Sequence, residues 1–113
     1  MNYSFPKHNK LCGQKQIAQL YREGKRFTAW PLRVTWMPAD SETRVLVWAP
    51  KSLFKRAVHR NRLRRLMREA YRLNQGILST QHFLIAFNYI DKEEQEFRVI
   101  EKAVKKALRK VKG

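Results

Sequence analysis

The chain has 113 residues, with 25 Lys and Arg against 9 Asp and Glu and a formal net charge of +16. That length suits one domain with one modest core and excludes two. With 43% hydrophobic and 12% aromatic residues it is not a disordered basic tail; a folded domain with a strongly anionic partner is expected, nucleic acid being the first candidate and an anionic membrane surface the second.

The opening residues, MNYSFPKHNKLCG, are polar and basic, with Phe5 and Leu11 as anchors and no apolar signal core. A cytoplasmic protein is expected. Cys12 is a lone cysteine, without a partner for a disulfide or a zinc site, and reads as a small, at least partly buried residue. Residues 14–23 read as a short helix with Ile17, Ala18, Leu20 and Tyr21 on one side, and Gly24 is placed to end it in the left-handed conformation. The Ile17 and Tyr21 side chains suit either a core or a ligand.

Strand periodicity follows. Leu32, Val34 and Trp36 alternate with Arg33, Thr35 and Met37. Phe27 and Trp30 begin that strand or form a short one of their own, with Pro31 at a bend or an edge. Residues 38–41 make a turn. Residues 44–49 form a second strand, apolar almost throughout and therefore expected at the centre of the sheet. The apolar run at 45–50 is the longest in the chain and far too short to span a membrane.

Residues 51–72, KSLFKRAVHRNRLRRLMREAYR, hold nine cations and one acid, Glu69. A helix is expected from about 56 to 73. Its apolar side is Leu63, Leu66, Met67, Ala70 and Tyr71, at the spacing of a packed face. Asn61, Arg64, Arg65, Arg68 and Arg72 share the opposite side. Like charges so close repel, and no row of acids stands one turn away to relieve them. A solvated face is the bland reading; the missing acids and Asn61 weigh toward nucleic acid. Arginine makes planar, bidentate contacts with phosphate and stacks on bases.

Asn74, Gln75 and Gly76 signal a stop. Residues 82–89, HFLIAFNY, are a third strand. Asp91 and Glu94 resemble a capping box before a last helix with Phe97, Ile100, Val104, Leu108 and Val111 on one stripe and Lys102, Lys105, Lys106, Arg109 and Lys110 on the other side. No serine–histidine pair, paired carboxylates or glycine-rich phosphate loop stands out, and His8, His59 and His82 are too scattered for metal-ligand spacing. If the chain belongs to an enzyme, the chemistry is expected outside its own side chains. The pattern implies an α+β domain covering 1–113, one sheet with helices packed on it.

The run from Ala57 to Arg72, with Arg60-Asn61-Arg62 followed by Leu63, Arg64-Arg65, Leu66, Arg68 and Tyr71, strongly resembles the signature of the protein subunit of bacterial ribonuclease P. Lys10-Leu11, the Ile17, Tyr21 and Gly24 pattern and Arg44-Val45 extend the resemblance outward. It implies an α-β-β-β-α-β-α order, a mixed central sheet and a left-handed crossover at the Arg-Asn-Arg helix, where general rules favour the right hand.

It also implies a partnership with a catalytic RNA that removes the 5′ leader of precursor tRNA. Mg²⁺ in that holoenzyme is held mainly by RNA and by no protein motif. RNA contacts are implied for Lys55, Arg56, Arg60, Asn61, Arg62, Arg64, Arg65, Arg68 and Arg72. Leader contacts are implied in a cleft between the first helix and the sheet, with Ile17, Tyr21, Arg33, Thr35 and Trp36 as candidates. Arg64 takes a position that is commonly Lys. Ile17 replaces a frequent Phe and Thr35 a frequent Tyr, and Arg33, Trp36 and Trp48 are the residues available to compensate. Composition alone fits a ribosomal or other structural RNA-binding protein equally well. A DNA-binding helix is a third reading, disfavoured by the aromatic strands and by the lack of a helix-turn-helix or zipper.

Overall fold

A computed structural model describes residues 14–40 and 42–113; the expectations for His8, Lys10, Phe5, Leu11, Cys12 and Ser41 lie outside them. The order is α1 (Gln14–Glu23), β1 (Lys25–Ala29), β2 (Leu32–Pro38), β3 (Arg44–Trp48), α2 (Ala57–Asn74), a 3-10 turn (Gln75–Leu78), β4 (Phe83–Tyr89) and α3 (Phe97–Lys112). This is the expected α-β-β-β-α-β-α order.

One four-stranded mixed sheet runs β1-β2-β4-β3. β1 pairs antiparallel with β2 through the tight Trp30-Pro31 turn, so Phe27 belongs to a strand of its own. β2 pairs antiparallel with β4. β3 pairs parallel with β4, and α2 forms the crossover between them.

The near-continuous apolar run of β3 does not make it central. It is an edge strand, and its two faces are apolar for different reasons. Val45 and Val47 face the main core, whereas Leu46 joins a small cluster around Leu20. The central strand is β4, where every residue but Asn88 is buried.

Alternation sorts the strands into two faces. Leu32, Val34, Val45, Val47, Phe83, Ile85, Phe87 and Tyr89 face α2 and α3, whose Leu63, Met67, Ala70, Ile100, Val104 and Leu108 complete the main core. The apolar stripes of both helices therefore pack as their periodicity predicts, except that Leu66 and Phe97 are only partly buried. Among the described residues, the helix on the other face is α1. Leu20 is its one fully buried side chain, sitting with Leu84 and Ala86, a contact of about 1.5–3 kcal/mol. Ala18, grouped with Leu20 by spacing, is exposed.

Two local signals work differently from expectation. Gly24 does follow α1, but its φ is not left-handed. Glycine is needed there because a Cβ would sit 2.5 Å from the Leu20 carbonyl oxygen and 3.0 Å from that of Trp36. Asp91 and Glu94 do not cap α3, which starts at Phe97 with no side-chain cap on Glu96. Asp91 accepts a hydrogen bond from Gln95 Nε2 at 2.7 Å, and Glu94 is turned toward α2.

Candidate nucleic-acid interface

The start of α2 is built onto the end of β4. After β3, the Leu53 and Phe54 N–H groups donate to the Pro50 carbonyl at 3.1 and 3.2 Å. Phe54 then packs edge-on against Tyr89, with ring centroids 5.7 Å apart. This turn puts the first residues of α2 at the same end of the sheet as Trp48 and Tyr89.

The Arg60-Asn61-Arg62 side chains do three different things. Arg60 Nη1 donates to the carbonyls of Phe54 and Lys55 at 2.7 and 2.9 Å. It clamps the preceding turn and offers only its remaining N–H groups to a ligand. Asn61 is exposed and accepts a hydrogen bond from Arg64. Arg62 Nη1 lies 3.4 Å from Glu94 Oε1, whose partner oxygen is 3.0 Å from His59 Nδ1.

Further along, Arg72 binds Glu69 through Nε at 3.1 Å and Nη2 at 2.5 Å. Lys55, Arg56 and Arg65 are exposed, and among the described residues none of them pairs with a carboxylate. Burial first, and neighbouring Arg64 second, lower the pKa of Arg68. The second effect is the mutual repulsion of neighbouring guanidinium groups on this face. α2 also has no side-chain N-cap and no acid in its first turn, so its terminal N–H groups are open to an anion.

The α1 face of the sheet divides into rows. Strand register aligns Thr28, Arg33, Asn88 and Trp48 across β1, β2, β4 and β3. Thr28 and Arg33 are exposed, and Trp48 is 49% exposed. Asn88 is half-buried, its amide nitrogen 3.1 Å from the Tyr21 hydroxyl. The next row is Arg26, Thr35, Ala86 and Leu46, and α1 lies over it through Leu20. Beyond it come Met37, Leu84 and Arg44, where Ile17 packs. α1 thus closes two rows and leaves one open, with Tyr21 at the boundary.

The five cleft candidates therefore separate. Tyr21 and Arg33 border the open row. Ile17 is partly buried in the small cluster. Thr35 is on the correct face but only 1% exposed, under the helix, so it offers a ligand nothing. Trp36 is on the wrong face. It packs edge-on against Phe83 at 5.6 Å, with Lys25 Nζ 5.6 Å from its ring centroid. Trp48 takes the aromatic place in the row. Asn88 and Thr28 were not anticipated. A lone polar residue in the apolar strand FLIAFNY was the available signal for Asn88; Thr28 carried none.

A family model described as Ribonuclease P matches residues 5–112. The chain belongs to the family of bacterial ribonuclease P protein subunits. It is 38% identical to the ribonuclease P protein component of Porphyromonas gingivalis, over 98% of this chain and 88% of that one. It is 27% identical to that of Alkaliphilus metalliredigens, over 93% and 95%. In fold it matches the RNase P protein from Thermotoga maritima with a TM-score of 0.79 at 21% identity, covering 92% of this chain and 98% of that one. The Staphylococcus aureus RNase P protein gives 0.74 at 15% identity, covering 91% and 94%. The mixed sheet and the element order are thus those of a ribonuclease P protein. No described helix is long and apolar enough to cross a membrane.

Proposed function

We propose that the protein holds the catalytic RNA of ribonuclease P on α2 and the single-stranded 5′ leader of precursor tRNA on the open sheet row. The observation that carries this reading is the position of Arg33 and Trp48. They flank Asn88 in the one row that α1 leaves uncovered, at the end of the sheet where α2 begins. A cation, an amide and an exposed indole in line suit an unpaired strand. The indole stacks on any base, the guanidinium neutralises a phosphate, and little sequence choice is imposed.

Lys55 and Arg56 just before α2, and Arg64, Arg65 and Arg68 on it, meet phosphates, while Arg60 positions the turn before the helix. A charge of +16 lowers the repulsion between an RNA catalyst and an RNA substrate, and counterion release makes the association strongly salt-dependent. Hydrolysis belongs to the RNA in this reading. Mg²⁺ is assigned to the RNA in the same reading. The assembly is cytoplasmic.

Reconstitution tests this. The protein, added to a bacterial ribonuclease P RNA at low Mg²⁺, is expected to stimulate cleavage of precursor tRNA and to favour leader-bearing over mature tRNA. An absence of stimulation, with equal affinity for both tRNAs, would leave generic RNA binding only.

A further inference from the structure

Arg98, Lys102, Lys106 and Lys110 follow one another at four-residue steps along α3. They form a single row, each about 6 Å further along the axis, a step on the scale of one nucleotide in an extended strand. Arg98 reaches Glu96 at 3.2 Å, with both side chains largely in solvent. Among the described residues the three lysines pair with no carboxylate. Glu101, the acid inside this helix, is turned to α2 and accepts from Asn74 Nδ2 at 3.0 Å. Like charges at this spacing repel. The row is costly in the free protein and favourable beside a polyanion.

Edge strand β1 runs alongside. Lys110 Nζ stands 4.6 Å from the Phe27 ring centroid. At the other end of the row, Trp30, Arg98, Lys102 and Lys106 wall a groove of about 670 Å³. Its floor is apolar and holds the buried Ala29 and Ala103. Trp30 is 56% exposed. A concave apolar floor with an indole on one wall and a cation row on the other matches the groove-and-platform plan of single-strand recognition. A membrane surface would call for a convex patch.

We propose that this groove is a second binding site for single-stranded RNA, with a base stacked on Trp30 and successive phosphates on Arg98, Lys102 and Lys106. The site lies beyond the leader row and stands without it. Trp30 follows β1 directly, two residues after Thr28, so a strand leaving the open row over the sheet edge enters the groove. An unpaired segment of the catalytic RNA offers the same chemistry.

The test uses the full chain and a labelled single-stranded oligouridylate, with Trp30→Ala, with Lys102→Gln plus Lys106→Gln, and with Lys92→Gln plus Lys112→Gln as a control of equal charge loss outside the groove. Trp30→Ala is expected to weaken binding about fivefold or more. The groove lysine pair is expected to lower the log–log salt slope by about 1.4, and the control pair by much less. Wild-type affinity and slope in both groove variants would overturn the site. So would an equal loss in the control pair, or a loss seen only toward phosphatidylserine vesicles. If Trp30→Ala unfolds, the exposed lysine pair still decides.

Repeating the measurement on precursor tRNAs with short and long leaders, and on the catalytic RNA alone, identifies the source. A loss confined to the long leader assigns the groove to the leader, and a loss on the catalytic RNA assigns it there. The leader reading fails separately, when Arg33→Ala and Trp48→Ala leave leader discrimination intact.

Discussion

The two faces of the sheet are made of the same strands and finished in opposite ways. On one, α2 and α3 close a continuous core from Leu32 to Val111 with large side chains at almost no exposure. On the other, a ten-residue helix covers the rows of Thr35 and Met37 and stops short of the row of Arg33, Asn88 and Trp48. The closed face maintains the fold, and its helices carry their charge outward. The open face has little hydrophobic closure to lose and can leave polar and aromatic groups in water. An open polar and aromatic row is therefore obtained by ending α1 early, not by hollowing the core.

The largest expected effect falls on the closed face. Leu63 is fully buried between α2 and the sheet side of the core. Leu63→Ala should cost roughly 2–5 kcal/mol of stability, read by urea denaturation. Leu66, on the same helix but only partly buried, should cost clearly less. Equal losses at the two positions would mean that the helix is rotated from the orientation described.

Trp48→Ala is the corresponding cut on the open face. Stability should change little, because the indole is about half in solvent and at the sheet edge. Preference for leader-bearing over mature tRNA should fall by about 1–3 kcal/mol, the worth of one stacked base. A variant that loses stability but keeps that preference would move Trp48 into the core and erase the contrast between the faces.

The faces should also differ in alkali. Burial pushes the Tyr71 phenol from 10.0 up to about 12, and Tyr89 is shifted the same way, chiefly by burial. Below pH 10 the phenol is neutral in both folded and unfolded chains, and its contribution is fully present. Between about pH 10 and 12 the unfolded chain ionises first, so stability declines through that window. Tyr71→Phe should lessen the decline, measured by denaturation at stepped pH; an unchanged decline would place its cause elsewhere.

Much of the closed face was legible in the sequence. Leu63, Met67, Ala70 and Tyr71 on α2, and Ile100, Val104 and Leu108 on α3, repeat at helical spacing, and that spacing alone says which side packs. The open face was only partly legible. Arg33 and Thr35 alternate correctly onto it, yet whether each is open depends on where α1 ends over the sheet, a tertiary fact. Trp36 was misplaced because an aromatic was expected near Thr35, although period two already put it with Val34. The edge position of β3 was hidden because an apolar run looks the same whether two helices cover it or one. Glu94 illustrates the same limit, since its spacing from Asp91 suited a cap while its oxygens serve His59 and Arg62 on another helix.

The smallest effect tests the outer surface of the closed layer. Arg65 is exposed and, among the described residues, pairs with no carboxylate, whereas Arg60 is tied to two backbone carbonyls. Arg65→Ala should leave the melting temperature unchanged and lower the salt slope of binding to the catalytic RNA by about 0.9, one phosphate contact on a duplex. Arg60→Ala should act through the fold instead. Losing the hydrogen bonds of a charged group to the Phe54 and Lys55 carbonyls frees the turn that seats Phe54 on Tyr89, so stability falls along with RNA affinity. If the two variants behave alike in both measurements, Arg60 is an RNA contact like Arg65, and the motif is a uniform cationic surface. If they separate, its first arginine sets the position of the helix and the arginines beyond it do the binding.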